Sequence, residues 1–281
     1  MKALWIFIST LFLTVSAFAQ TDLQKLVDTE HAFAAIAAEK GARAAFLENL
    51  ADDGLVFNPD KVNGKALWSA KPEASYLLSW APNYADISSN GILGYTTGNW
   101  EYRAKGKDDA PSAFGDFVTV WLRQPSGKFK FVIDIGVGHA KPEKYLTEWT
   151  TSADNGAGKI AGDSAASEIA TEFYQLATAK GIVKAYETYA ADDIRVYRED
   201  KFLILGKKNF RSLVSRDKAV VTFAKRGVFF SSADLAYSTN AYTRFADGKI
   251  VEKGNFMQIW KLRGGKWHIV LDIFKPIPPE K

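Results

Sequence analysis

Apolar residues fall at helical spacing near the start of each half of the chain. Leu26, Phe33, Ile36 and Ala37 share one face, and Ile169, Phe173, Leu176 and Ala177 share another. That spacing predicts an amphipathic helix in each place. Gly41 and Gly181 follow the two stripes and are expected to end the helices in the left-handed C-terminal conformation. A second helix is predicted over 42–50 and again over 182–190. Short strands follow, Leu55-Val56-Phe57 and Arg195-Val196-Tyr197. Beyond them the pattern becomes strand-like, with long strands expected over 92–102, 114–123 and 129–137. Asp247-Gly248 and Gly264-Gly265 mark hairpins whose turns require positive φ. In the last strand Trp267, Ile269, Leu271 and Ile273 alternate with His268, Val270, Asp272 and Phe274. Both sets are largely apolar, so one face should line a domain interior and the other should be covered by the equivalent sheet of the other half. Helices followed by an antiparallel sheet describe an α+β domain.

The elements occur twice because the chain is duplicated. Ala38-Glu39-Lys40-Gly41 returns as Thr178-Ala179-Lys180-Gly181, and Ala51-Asp52-Asp53 returns as Ala191-Asp192-Asp193, both at an offset of 140 (180 − 40, 192 − 52). Trp121 through Gly127-Lys128-Phe129 to Asp134-Ile135 is echoed by Trp260 through Gly265-Lys266-Trp267 to Asp272-Ile273, at an offset of 138 (272 − 134). A unit this long is a domain, not one turn of a solenoid. The expected domains are 22–147 and 164–276. Residues 148–163, rich in Thr, Ser, Gly, Asp and Asn, read as the linker.

Composition narrows the function classes. A length of 281 residues suits two domains, and 47% hydrophobic residues allow each a substantial core. A net charge of +4 gives no broad nucleic-acid footprint. The absence of cysteine excludes disulfides, thiolate catalysis and cysteine metal sites. The histidines, His31, His139 and His268, share no metal-binding spacing, and no cofactor is implied. Lys2, the apolar run Ala3 to Val15 and Ala17-Phe18-Ala19 read as a signal peptide over 1–19, cut before Gln20. The expectation is a periplasmic or secreted protein with no membrane anchor after cleavage.

The order helix, Lys-Gly, helix, Ala-Asp-Asp, strand, then a sheet ending in Gly-Lys-aromatic and Asp resembles the nuclear transport factor 2-like superfamily. That group includes SnoaL-like cyclases, ketosteroid isomerases and many exported domains of unknown function. Leu93-Gly94-Tyr95-Thr96-Thr97-Gly98 and Val118-Thr119-Val120-Trp121 resemble an exported branch without an assigned activity. The resemblance covers about 22–147 and 164–276. It implies two tandem cone-shaped domains, each a curved antiparallel sheet wrapped by N-terminal helices around a pocket. Members of the superfamily commonly pair sheet to sheet, so the halves are expected to form an internal pseudo-dimer.

The same resemblance implies where isomerase chemistry would sit. The isomerase tyrosine position is Ala34 in the first half and Tyr174 in the second. The isomerase aspartate position is Asn58 or Arg198. An amide takes no proton at neutral pH and arginine stays protonated, so neither half keeps both parts. Asp134 and Asp272 sit at equivalent places in the final strands. Each reads either as a pocket carboxylate with a raised pKa or as a structural hydrogen-bond acceptor. Glu30, opposite Ala170, falls within the apolar stripe of its helix. It is either a polar anchor in an apolar pocket or a stripe-edge residue reaching water. Trp68, Tyr95, Trp100 and Tyr237 are further pocket candidates, with core packing as the alternative for aromatics on strands. The stretch from Arg195 to Arg226 holds ten basic residues against three acidic ones, either a site for an anionic partner or a solvated surface.

These residues point first to binding of a small, mostly apolar molecule without catalysis. An isomerase, cyclase or dehydratase would use Asp134 with Glu30, or Asp272 with Tyr174. A protein-interaction module would use the basic segment. The size of the cavity and the number of acids facing it separate the three.

Overall fold

Two glycines set the start of each half. A computed structural model describes residues 15–146, 148–152, 163–216, 219–225 and 227–279. Helix α1 (Val15–Lys40) meets α2 (Ala42–Asn49) at Gly41, and α4 (Asp163–Lys180) meets α5 (Ile182–Tyr189) at Gly181. Gly41 has φ 86 and ψ 159, and Gly181 has φ 88 and ψ 153. This is not the left-handed helical conformation expected from the sequence. It is a region essentially restricted to glycine, and it turns the chain between two helices within one residue. Leu26, Phe33 and Ala37 are buried on α1, as are Ala170, Phe173 and Ala177 on α4. Most of the signal peptide expected over 1–19 lies outside the described residues.

After the helices, β1 (Leu50–Phe57), β2 (Lys61–Asn63), α3 (Gly64–Ala70), β3 (Leu77–Ile87), β4 (Leu93–Arg103), β5 (Ala113–Arg123) and β6 (Phe129–His139) complete the first half. The second half continues with β7 (Ala190–Arg198), β8 (Ile204–Leu205), α6 (Lys207–Val214), β9 (Val220–Phe223), β10 (Val228–Ser232), β11 (Leu235–Ala246), β12 (Lys249–Arg263) and β13 (Lys266–Pro276). The sheet orders are β2-β1-β6-β5-β4-β3 and β10-β11-β12-β13-β7-β8, with β9 also on β11. Each half is therefore an α+β domain built on its own sheet. The sheets are mixed, not antiparallel throughout, because β1 runs parallel to β6 and β7 parallel to β13. The two hairpin turns match expectation, with positive φ at Asp247, Gly248, Gly264 and Gly265.

Strict alternation along the last strand fails at a bulge. The β13 register shifts between Ile269 and Leu271, and a one-residue shift moves every following side chain to the opposite face. Trp267 and Ile269 pack with the helices of their half, whereas Leu271 and Ile273 join the cluster on the other face. In β6, Phe131 packs with the helices, while Ile133 and Ile135 face the other way.

That second face holds one buried apolar cluster with members from both sheets, among them Val118, Ile133 and Ile135 of the first half and Met257, Leu271 and Ile273 of the second. Polar contacts run beside it. Thr97 Oγ1 donates to Tyr197 Oη (2.9 Å), and the Arg195 guanidinium lies 4.2 Å from the Tyr84 ring centroid. Lys261 is buried between Asp86 and Asp234, each at 3.3 Å, and also donates to Ile87 O. The expected linker begins as part of the first half, since Thr150 exchanges backbone hydrogen bonds with Asn83 and Ala85 on β3. Residues 153–162 of that linker lie outside the described residues.

Candidate functional site

Glu30 sits in the middle of the α1 stripe, between Leu26 and Phe33, and is fully buried. Its carboxylate has three donors. Trp80 Nε1 reaches Oε1 (2.6 Å), while Thr96 Oγ1 (2.5 Å) and Trp121 Nε1 (3.1 Å) reach Oε2. Burial raises its pKa to about 7, against the opposing pull of these hydrogen bonds. Glu30 therefore does not reach water. Nor does it line the cavity. It lies behind the aromatic wall and fixes Trp80, which does line it.

The cavity occupies about 470 Å³, within the usual range for small-molecule sites. Phe33, Phe46, Trp68, Trp80, Trp100 and Phe117 are among the aromatic residues that line it. Asp134 faces it from β6, half-buried, with Thr119 Oγ1 donating to Oδ1 (2.9 Å). Desolvation raises the Asp134 pKa to about 6, with Thr119 and Lys275 opposing. Two residues of the second half complete the lining, Glu199 and Lys275. Glu199 Oε1 accepts from Gly138 N (3.2 Å), and Lys275 Nζ donates to Gly136 O (2.6 Å).

The second half repeats this frame with a cavity of about 530 Å³ whose lining is more charged, with Arg198, Asp200, Lys201, Arg244 and Glu252 among its residues. Thr96, Thr119 and Asp134 are cross-strand neighbours, as are Ser238, Gln258 and Asp272. Trp121 Nε1 donates to Thr96 Oγ1 (3.0 Å), and Trp260 Nε1 donates to Ser238 Oγ (3.1 Å). Ala170 replaces Glu30, and Tyr174, one turn later, brings its own hydroxyl to Ser238. Tyr174 also stacks its ring near Phe223 (4.9 Å) and Phe256 (5.7 Å). Phe274 stands where the first half has Gly136 and packs on Tyr242 (4.5 Å) and Phe256 (5.2 Å). Tyr242 and Phe274 line the second-half cavity, and Phe274 places a ring where the first half has only the Gly136 backbone.

Asp272 is buried and fully engaged. Tyr186 Oη (2.8 Å) and Gln258 Nε2 (2.9 Å) donate to Oδ2, and Arg198 pairs with Oδ1. For Asp272 the structural reading holds, while Asp134 keeps an open face.

Of the residues expected in a pocket, Trp68, Trp100 and Asp134 meet in the first-half cavity. Tyr95 and Tyr237 are corrected, since both belong to the cluster between the sheets. Their neighbours Thr96 and Ser238 take the inward positions. Tyr174 is half-buried and Asp272 fully buried, and neither lines the second-half cavity. Sequence reasoning missed Trp80, Phe117 and Lys275. Trp80 lies on a strand without a clean alternating pattern, and Lys275 arrives from the other half. The basic segment is divided. Arg195 is buried and Arg198 half-buried, Arg211 pairs with Glu187 (2.8 Å), and Asp217, Lys218 and Arg226 lie outside the described residues. Among the described residues no helix is long and apolar enough to cross a membrane, and no group of three possible metal ligands occurs.

No protein-family model matches the sequence, and no curated protein matches it. Solved structures are similar to it. A protein of unknown function with a cystatin-like fold from Nostoc punctiforme is 17% identical, covers 43% of this chain and 96% of its own, and has a TM-score of 0.34. A nuclear transport factor 2-like protein from Pseudomonas putida is 12% identical over 41% of this chain and 88% of its own, with a TM-score of 0.35. Another, from Cytophaga hutchinsonii, is 12% identical over 41% of this chain and 97% of its own, also with a TM-score of 0.35.

Proposed function

We propose that this is an exported, non-catalytic binding protein for a small, mostly apolar molecule. The first half holds the ligand, and the second serves as its internal structural partner, sheet against sheet. One contrast carries the reading. The first-half cavity, about 470 Å³, is walled by aromatic rings, whereas the second-half cavity, about 530 Å³, is lined by the charged groups Arg198, Glu199, Asp200, Lys201, Arg244 and Glu252. Export to the periplasm or beyond rests on the signal-like segment over 1–19. Titration of the purified chain with naphthalene derivatives, followed by tryptophan fluorescence and calorimetry, tests the binding. A single site is expected, abolished by Gly136→Leu, which puts a side chain where the second half has Phe274. Unchanged binding in that variant, or none in the parent, would defeat the proposal.

A second reading has its own support. The half-buried Asp134 carboxyl, with a pKa of about 6, is suited to move a proton near neutral pH. An isomerase, cyclase or dehydratase would use it as the general acid or base, with Glu30 behind it. Solvent deuterium entering the α-carbon of a bound apolar ketone, and failing to enter in Asp134→Asn, would favour this reading over simple binding.

A further inference from the structure

The proposed cavity contains one cation that the protein itself does not match. Lys71 follows α3, where its backbone N–H donates to Leu67 O (3.2 Å). Its Nζ is 4.2 Å from the centroid of the Trp68 ring, and Trp68 in turn stacks on Phe46 at 4.2 Å. All three side chains line the cavity. Among the described residues no carboxylate comes within ion-pair distance of Lys71. Indole faces attract a cation but do not neutralise it. Burial also depresses the Lys71 pKa, as expected for an ammonium that has lost water and gained no anion.

The other cation facing the cavity has acids of its own. Lys275 has Glu199 and Asp134 as nearby negative charges, and its Nζ is hydrogen-bonded to Gly136 O. Glu199 is tied to Gly138 N. The β6 side of the cavity therefore holds two acids and a lysine, while the α3 side holds an unpaired lysine against an indole. A neutral apolar ligand would leave that ammonium as it is. A ligand with an acid group at one end would pair with it in a partly desolvated setting, where charge-assisted hydrogen bonds are strong.

We infer that the ligand is an amphipathic organic acid. Its apolar ring body lies among Trp80, Trp100 and Phe117, and its single carboxylate pairs with Lys71 beside Trp68. This inference rests on the proposed ligand cavity.

The test compares three probes of equal shape on the full chain: 2-naphthoate, neutral 2-naphthamide and 2-naphthylmethylammonium. Dissociation constants are measured at pH 8 and low salt for the parent, Lys71→Gln and Lys71→Arg. Naphthoate is expected to bind about two- to fivefold more tightly than the amide, the range for one partly exposed ion pair. Lys71→Gln should remove that preference, weakening the acid more than the amide, and Lys71→Arg should retain it. Equal binding of acid and amide, preference for the ammonium, or an acid preference that survives in Lys71→Gln would overturn the inference while leaving the cavity proposal standing. If none of the three probes binds, the cavity proposal fails, and the inference fails with it.

Discussion

Arg198 closes on Asp272 in an ion pair that Asp134 lacks, because the residue equivalent to Arg198 is Asn58. The guanidinium also packs over Phe274 (4.4 Å), and both residues line the second-half cavity. Removing one partner of a buried pair leaves the other charge uncompensated, at a cost of about 3–5 kcal/mol. Arg198→Met should lose stability in that range at pH 7. Asp134→Asn should not, because the amide oxygen still accepts from Thr119 and no ion pair is broken. Urea denaturation of both variants checks the contrast, and equal losses would contradict it.

The Glu30 carboxyl yields a prediction with a fixed sign. Its native pKa of about 7 lies above its ordinary value of 4.5. The parent therefore loses stability as pH rises from about 4.5 through about 7, and the loss is constant above that. In Glu30→Gln the amide oxygen can accept from Trp80 while its nitrogen donates to Thr96 Oγ1, leaving Trp121 its bond to Thr96. At pH 5 the variant and parent should melt at similar temperatures. At pH 8.5 the variant should be more stable by roughly 2–3 kcal/mol, from 1.36 kcal/mol per pKa unit. A melting difference that does not change with pH would show that Glu30 does not titrate in this way.

Much of the frame was legible because it depends on local pattern. The duplicated Lys-Gly and Ala-Asp-Asp segments marked equivalent elements, and the stripe of Leu26, Phe33 and Ala37 put Glu30 within the apolar face without deciding between pocket and water. The site itself depends on distant pairs. Trp80 reaches Glu30 across 50 positions and Arg198 reaches Asp272 across 74, and no local periodicity encodes either. Alternation identified Tyr95 and Thr96 as facing opposite ways without saying which way was inward. The bulge in β13 then reversed the faces partway along a strand. The exchange of Gly136 for Phe274 is visible once the repeats are aligned. It acquires meaning only when the sheet places both beside the equivalent aspartates.

Gly41 provides a purely backbone test. Its φ of 86 and ψ of 159 lie where a side chain is strained, yet a Cβ there would meet nothing within 4 Å. Gly41→Ala should therefore cost about 1–3 kcal/mol from backbone strain alone. Denaturation of the variant measures the loss. A neutral or stabilising result would mean that the junction between α1 and α2 relaxes without cost, and that its glycine is incidental.

Lys261 tests the seam between the halves. Its ammonium comes from the second half and lies against Asp86 of the first, with Asp234 on its other side. Asp234 Oδ1 in turn accepts from Ser89 N (2.7 Å), so one lysine and two acids link both sheets. Burial raises the Asp86 pKa and Lys261 opposes the rise. Lys261→Met would leave both acids unmatched, costing about 3–5 kcal/mol at neutral pH. The loss should shrink in acid as Asp86 takes up a proton and its charge disappears. Separate fragments 20–150 and 160–281 should self-associate or precipitate, because each would expose the apolar face now shared in one cluster. Thermal melts of Lys261→Met at pH 4.5 and pH 7.5, with sedimentation of the fragments, measure both effects. A pH-independent loss would remove the acids from the account. Two stable monomeric fragments with no affinity for each other would remove the seam.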